Sequence, residues 1–186
     1  MFEKLLQWDK EIFIYFNGLG SETYDSFWST ITEITTWIPL FLLFILLFVI
    51  KFSKREAFFN TILVTSVTIF IAILTHLVKI FVQRIRPCND ETLNSSIRIL
   101  KTPIDYSFFS GHASSSFAIA TMVFLLLRTR IRWAWIFFLW PLLFAYSRIY
   151  VGVHFPLDIL IGALIGVFSS IFFYNLYMRL FHTAKR

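Results

Sequence analysis

The run Ser147-Arg148-Ile149-Tyr150-Val151-Gly152-Val153-His154-Phe155-Pro156-Leu157-Asp158 sets a cation, an imidazole and a carboxylate between two apolar stretches. Ionisable groups at such a depth are candidates for function. Pro156 suits the first turn of a helix, where a missing N–H leaves nothing unpaired, so a helix is predicted to begin there with Asp158 in that turn. His154 lies close enough ahead of it for the carboxylate to accept a proton from one ring nitrogen and leave the other free to attack. Arg148 adds a permanent forked charge. Together these are the parts of an activated nucleophile with an anion holder.

Two further stretches carry compatible chemistry. In Lys79-Ile80-Phe81-Val82-Gln83-Arg84-Ile85-Arg86-Pro87 the two outer cations are nearly two helical turns apart and share a face if the helix persists, while Pro87 restricts the residue before it. Stacked cations call for an anion beside them, unless both extend to headgroups. In Phe109-Ser110-Gly111-His112, serine is a favoured helix N-cap, glycine lets a bulky anion approach the backbone, and the first N–H groups point at it. His112 then reaches the same ligand and can donate a proton.

The elements that position these groups follow from composition. Of 186 residues, 58% are hydrophobic and 15% charged, and mean hydropathy is +0.72. The expectation is an all-α integral membrane helix bundle, one domain over residues 1–186. Cys88 stands alone, which excludes an internal disulfide framework. The net charge of +6 does not point to nucleic acid, because the basic residues sort by membrane side rather than forming a stripe with exposed aromatics. Lys51, Lys54 and Arg55, then Arg128, Arg130 and Arg132, then Arg179, Lys185 and Arg186 mark the cytoplasmic ends. The opposite loops hold Asp90, Glu91 and Asp105 against Arg98 and Lys101.

Residues 1–25 are predicted as an interfacial helix region, with Trp8 and Tyr15 at headgroup level; Glu3, Lys4, Asp9 and Lys10 make it a poor span and a poor cleavable signal. About five spans follow, since a hydrocarbon core needs roughly 20 residues each. The first is a single helix from Ser26 to Phe52, polar in its first half, continuous hydrocarbon from Trp37 to Ile50, and kinked at Pro39. The others are Phe58–Val82, Ser110–Arg128, Ile131–Tyr146 and Leu157–Phe181, with residues 84–109 as a long extracytoplasmic loop. The N-terminus is then outside and the C-terminus inside, and all three motif stretches meet at the outer face. His76 is expected in a helix–helix contact, His182 at the cytoplasmic interface, and Arg84 and Tyr150 beside the site.

The pattern Lys79-x6-Arg86-Pro87, Ser110-Gly111-His112 and Ser147-Arg148-x5-His154-x3-Asp158 resembles the three signatures of the type-2 phosphatidic acid phosphatase superfamily, in their usual order, over residues 79 to 158. The surrounding spans resemble its membrane-embedded bacterial branch. Phe109 stands where that family usually has proline, which bears on the loop and not on the chemistry. The resemblance implies that His154 takes the phosphoryl group as a phosphohistidine, Asp158 orients it, and His112 protonates the leaving oxygen and then assists water. Lys79, Arg86, Arg148, Ser110 and Gly111 would hold the phosphate oxygens, with no metal and no cofactor.

The implied protein is a lipid phosphatase of the bacterial inner membrane, its site facing the periplasm or cell exterior. Its partner is an anionic phospholipid or isoprenoid diphosphate substrate in the bilayer. Undecaprenyl diphosphate leads; phosphatidylglycerol phosphate, phosphatidic acid and the 1-phosphate of lipid A compete. A zinc site on His112, His154 and Asp158 is disfavoured by the three cations crowding it. A channel or transporter would place charge along a path rather than at one face. A vanadium haloperoxidase has a similar anion cage, but its relatives of that kind are soluble.

Overall fold

The computed structural model describes residues 2–182; Lys185 and Arg186 lie outside them, as does the side chain of His182. Among the described residues every regular element is helical: α1 (Phe2–Gly18), α2 (Glu22–Ile31), α3 (Ile38–Lys51), α4 (Lys54–Val82), α5 (Gly111–Leu127), α6 (Leu139–Tyr150) and α7 (Pro156–His182). Among the described residues three segments are long and apolar enough to cross a membrane, at residues 34–51, within 54–89 and at 156–180. The apolar segments 111–127 and 134–150 are shorter. Leu42, Ile50, Phe58, Phe168 and Phe172 point outward from this bundle, as the side chains of an integral membrane protein do toward lipid.

Local chemistry sets the helix ends. A capping box starts α4, where the Ser53 hydroxyl accepts from the Glu56 N–H and the Glu56 carboxylate accepts from the Ser53 N–H. Gln83 ends it in a left-handed turn at φ 53°, and Pro87 opens a short 3-10 turn at Pro87–Asn89. Pro156 opens α7 and places Asp158 in the first turn, as its residue type predicts.

The core joins Phe44 and Phe48 of α3, Val67 and Ile71 of α4, Met122 and Leu127 of α5, and Trp140 and Phe144 of α6. Helix α5 runs through the middle, and α7 lies against it at a distance only glycine permits. A Cβ at Gly162 would stand 2.7 Å from the Ser110 carbonyl oxygen, and one at Gly166 2.2 Å from that of Ser114. The G-x-x-x-G spacing of these two residues is a helix-packing signal in membranes, where association relies on close contact rather than on water exclusion. Ser170 adds a hydrogen bond of 2.7 Å from its hydroxyl to the Ala118 carbonyl.

Two expected elements differ. The single helix over Ser26–Phe52 is broken: α2 stops at Ile31, Glu33 is extended, and a 3-10 turn at Ile34–Trp37 leads into α3. Pro39 starts α3 instead of kinking a longer helix, because its missing N–H is harmless only in the first turn. The Thr36 hydroxyl and the Trp37 indole N–H take the carbonyls of Thr30 and Ile31 near the end of α2. Helix α6 instead runs four residues past its expected end, to Tyr150, so Arg148 sits on a helical turn rather than in a connection.

Candidate active site

The connection Val151–Phe155 carries His154, and its shape depends on Gly152. That residue has φ +84°, and a Cβ there would lie 2.6 Å from the Arg98 carbonyl oxygen, so the loop 98–100 can lie against it. Asn17, fully buried at the end of α1, ties the two loops together. Its amide nitrogen donates to the carbonyls of Arg98, Ile149 and Tyr150 at 3.0–3.1 Å, and its oxygen accepts from the Arg98 N–H at 2.7 Å.

His154 is completely buried. Its Nε2 lies 3.0 Å from an Arg86 guanidinium nitrogen, and because guanidinium can only donate, Nε2 carries the lone pair. The ring proton is then on Nδ1, which faces the Ser107 hydroxyl oxygen at 3.3 Å and Asp158 Oδ2 at 3.6 Å. Burial, and after it the charges of Arg86, Arg148 and Lys79, hold the imidazole well below its ordinary pKa, so it stays neutral. A neutral, oriented imidazole with its lone pair on Nε2 is chemically a nucleophile.

Asp158 does not bond directly to the ring as the spacing suggested. The Ser107 hydroxyl sits beside both and links them, donating to Asp158 Oδ2 at 2.5 Å. That oxygen also accepts the Phe155 N–H, and Oδ1 accepts Arg84 Nη1 at 2.6 Å. Ser107 was absent from the sequence reading; its signal was a small hydroxyl residue three positions ahead of Ser110 in a stretch entering the site. Arg84, expected near the site only by proximity, bridges Asp158 to Asp9 at 2.6 Å and lies over the Phe155 ring at 4.2 Å. Asp9 is buried against the start of α7, where it accepts the Leu157 N–H at 2.8 Å, rather than facing the interface. Burial pushes its carboxyl pKa up, against the opposing pull of Arg84 and that N–H.

The cations converge from three elements. Buried Arg86 donates through Nε to the Asp105 carbonyl, through Nη2 to the Asp105 carboxylate, and through Nη1 to the Val153 carbonyl. Lys79 reaches the other Asp105 oxygen at 2.5 Å. Arg148, 4% exposed, bonds the Thr32 hydroxyl, and its buried Nε has no hydrogen-bond partner among the described residues. Ser110 caps α5, its hydroxyl accepting from the Ala113 N–H while its own N–H donates to the Asp158 carbonyl at 3.0 Å. Gly111 opens the helix, packed so that a Cβ would meet Thr75 at 3.2 Å. His112, half-buried in the same turn, rests on the Phe144 ring at 5.1 Å and feels the charges of Arg148, Arg86 and Lys79. Every residue named for the site from sequence is therefore in or beside one cluster.

Two other residues named from the sequence have places different from those expected. The Tyr150 hydroxyl bonds the Ser21 carbonyl and Asp25, fastening α2 rather than lining the cage. His76 is exposed on α4 and makes no hydrogen bond to another helix among the described residues; one position back on the helix, Thr75 does so, 3.3 Å from the Ser114 hydroxyl. Among the described residues, no three His, Cys, Asp or Glu side chains are arranged to hold a metal ion.

Comparison with known proteins agrees with this architecture. The chain is 30% identical to a lipid A 4'-phosphatase of Bacteroides thetaiotaomicron over 94% of its length and 79% of the relative's. It is 36% identical to an undecaprenyl-diphosphatase of Sulfolobus acidocaldarius over 72% of its length and 60% of that protein's. Its fold matches the crystal structure of a transmembrane PAP2-type phosphatidylglycerolphosphate phosphatase from Bacillus subtilis with a TM-score of 0.73 at 17% identity, covering 95% of this chain and 87% of that one. The PAP2 superfamily domain matches residues 59–182, and the chain belongs to that superfamily.

Proposed function

We propose that this PAP2-type lipid phosphatase hydrolyses its substrate in two steps through a phosphohistidine on His154. The observation that carries this is the His154 Nε2 lone pair, oriented by Ser107 and Asp158 and surrounded by Lys79, Arg86 and Arg148. Nε2 attacks phosphorus as the P–O bond to the lipid breaks, and His112, which takes up a proton when the substrate phosphate offsets the surrounding cations, gives that proton to the leaving oxygen. The Nδ1 proton stays on the ring, held toward Ser107 and Asp158. Neutral His112 then takes a proton from water, whose oxygen attacks phosphorus, and the P–N electron pair returns to Nε2. Lys79, Arg86, Arg148 and the α5 N-terminus with Ser110 and Gly111 hold the equatorial oxygens; positioning plus charge stabilisation is most of what phosphoryl transfer requires.

The substrate we favour is a phosphate group of lipid A, because the Bacteroides relative aligns with nearly the whole chain. Undecaprenyl diphosphate, to which the family resemblance first points, is the second reading, supported by the Sulfolobus relative. An apolar cavity of about 490 Å³ between α1, the end of α4 and α7, walled by Leu5, Val82, Phe108 and Ile161 with Arg84, suits a lipid tail beside the site. The basic ends of α3 and α4 (Lys51, Lys54, Arg55) lie at the opposite end of the helices from the site, which favours an inner-membrane protein with its site facing away from the cytoplasm.

The test is phosphate release from lipid A and from undecaprenyl diphosphate in detergent with excess EDTA, for the wild type and His154→Ala. Release should survive chelation and drop at least about a thousandfold in the variant, as for loss of a nucleophile. EDTA-sensitive release would bring back a metal mechanism, and normal turnover by the variant would remove His154 from its role.

A further inference from the structure

The phosphate cage already contains an anion, and that anion belongs to the chain. The Asp105 carboxylate takes Lys79 on one oxygen at 2.5 Å and Arg86 Nη2 on the other at 2.7 Å, while its carbonyl takes Arg86 Nε at 2.8 Å. Carboxylate and phosphate oxygens accept the same forked donors, so Asp105 uses two of the three cations that a substrate phosphate needs. Of the three, only Arg148 keeps an unpartnered buried nitrogen.

Asp105 is also placed to leave. Its side chain is 55% exposed, and its neighbours Ile104 and Tyr106 are exposed too. The short arm they form is pinned on both sides, by the bond from the Asn89 amide to the Pro103 carbonyl at 3.0 Å and by that from the Ser107 N–H to the Arg84 carbonyl at 2.8 Å. The arm can therefore swing out without disturbing Ser107, which holds Asp158. Although burial opposes it, Lys79 and Arg86 hold the Asp105 carboxyl at about 2, so the carboxylate is charged at any working pH.

We propose that Asp105 is a specificity-determining residue whose carboxylate occupies the phosphate cage between substrates and sets an affinity threshold that only a doubly charged phosphate end overcomes. The proposal rests on reading the cage as the seat of the substrate phosphate. At a membrane surface the site is surrounded by phosphodiester headgroups, each with one negative charge and present at high local concentration. A dianionic phosphate end attracts the three cations more strongly than such a monoanion does. A common penalty of displacing Asp105 lowers every apparent affinity by the same factor. It thereby takes the weak, abundant monoanions below occupancy and leaves the dianion above it. An arm that is out of the cage about a tenth of the time weakens apparent binding about tenfold. The same return of Asp105 to the cage helps expel product phosphate.

The experiment is calorimetric titration of inorganic phosphate into the detergent-solubilised full chain, with and without dioleoylphosphatidylglycerol in the micelles, for the wild type, Asp105→Asn and Asp105→Glu. Asp105→Asn should bind phosphate about tenfold more tightly. In that variant phosphatidylglycerol should compete measurably, as it does not in the wild type, and Asp105→Glu, which keeps the charge, should behave as the wild type. Unchanged or weaker phosphate binding in Asp105→Asn would mean that Asp105 only braces Arg86. Tighter phosphate binding without competition from phosphatidylglycerol would overturn the role in specificity, and equal tightening in Asp105→Glu would remove charge as the cause. None of these readouts needs turnover, so a chain that cleaved no lipid would refute the phosphatase reading and leave the cage measurement intact.

Discussion

At the scale of single residues, Ser107 is the side chain whose contribution is easiest to isolate. Its hydroxyl lies 2.5 Å from Asp158 Oδ2 and 3.3 Å from His154 Nδ1, and so links ring and carboxylate. Ser107→Ala leaves Asp158 held by Arg84 and the Phe155 N–H, so the site should keep its shape and its affinity for substrate. What it loses is the acceptor for the Nδ1 proton as positive charge develops on the ring. We expect kcat to fall about 10- to 100-fold with KM nearly unchanged, the pattern of an interaction made mainly in the transition state. Steady-state kinetics on the variant would check this, and a rise in KM at constant kcat would place Ser107 in substrate binding instead.

At the scale of elements, catalysis depends on how closely α7 approaches α5. The first carries Asp158 on its opening turn with His154 just ahead of it, and the second carries Ser110, Gly111 and His112 on its own; Gly162 and Gly166 set the separation. A methyl group at Gly166 would lie 2.2 Å from the Ser114 carbonyl oxygen and 3.0 Å from the Ala118 nitrogen, both backbone atoms that cannot rotate away. Gly166→Ala should therefore force the helices apart and cost about 1–3 kcal/mol, in the range of overpacked cores. Thermal unfolding in detergent would show it, together with a loss of activity larger than the loss of folded protein. An unchanged midpoint would mean that the bundle can shift as a whole. Helix α1 is coupled to the same region through Asp9, Arg84 and Asp158.

At the scale of the whole molecule, the buried charge pattern makes stability depend on pH. His154 is neutral in the fold, with its pKa depressed, and on unfolding it regains an ordinary value near 6.5. Its contribution is fully present above about pH 6.5 and is lost as pH falls below that toward the folded value, because the unfolded chain then binds the extra proton. Asp105 acts in the same direction lower down, between its usual 3.8 and about 2. The unfolding midpoint should thus decline between pH 7 and 5, and His154→Gln should flatten that decline. A midpoint independent of pH over this interval in the wild type would contradict a depressed His154.

The sequence by itself determined the membrane class, the all-helical architecture and the motif residues that gather in one cluster. Hydrocarbon runs of this length have few alternatives to helices, and Pro156, Ser110 and Pro87 punctuate the chain with chemistry that is local. Lys79, Arg86, Ser110, Gly111, His112, Arg148, His154 and Asp158 were legible because each belongs to a short motif whose parts are a few residues apart. Tertiary structure decided the contacts made between distant segments. Asp9 meets Arg84 and Leu157, Ser107 links His154 to Asp158, Thr32 meets Arg148, and Asp105 closes on Lys79 and Arg86. None of these pairs has a periodicity or spacing to betray it. A charge–charge or hydroxyl–carboxylate contact depends on distance in space, and only the packing of α7 on α5, of α1 across the α6–α7 junction, of α2 on α6 and of the 84–109 loop at the end of α4 brings those side chains together.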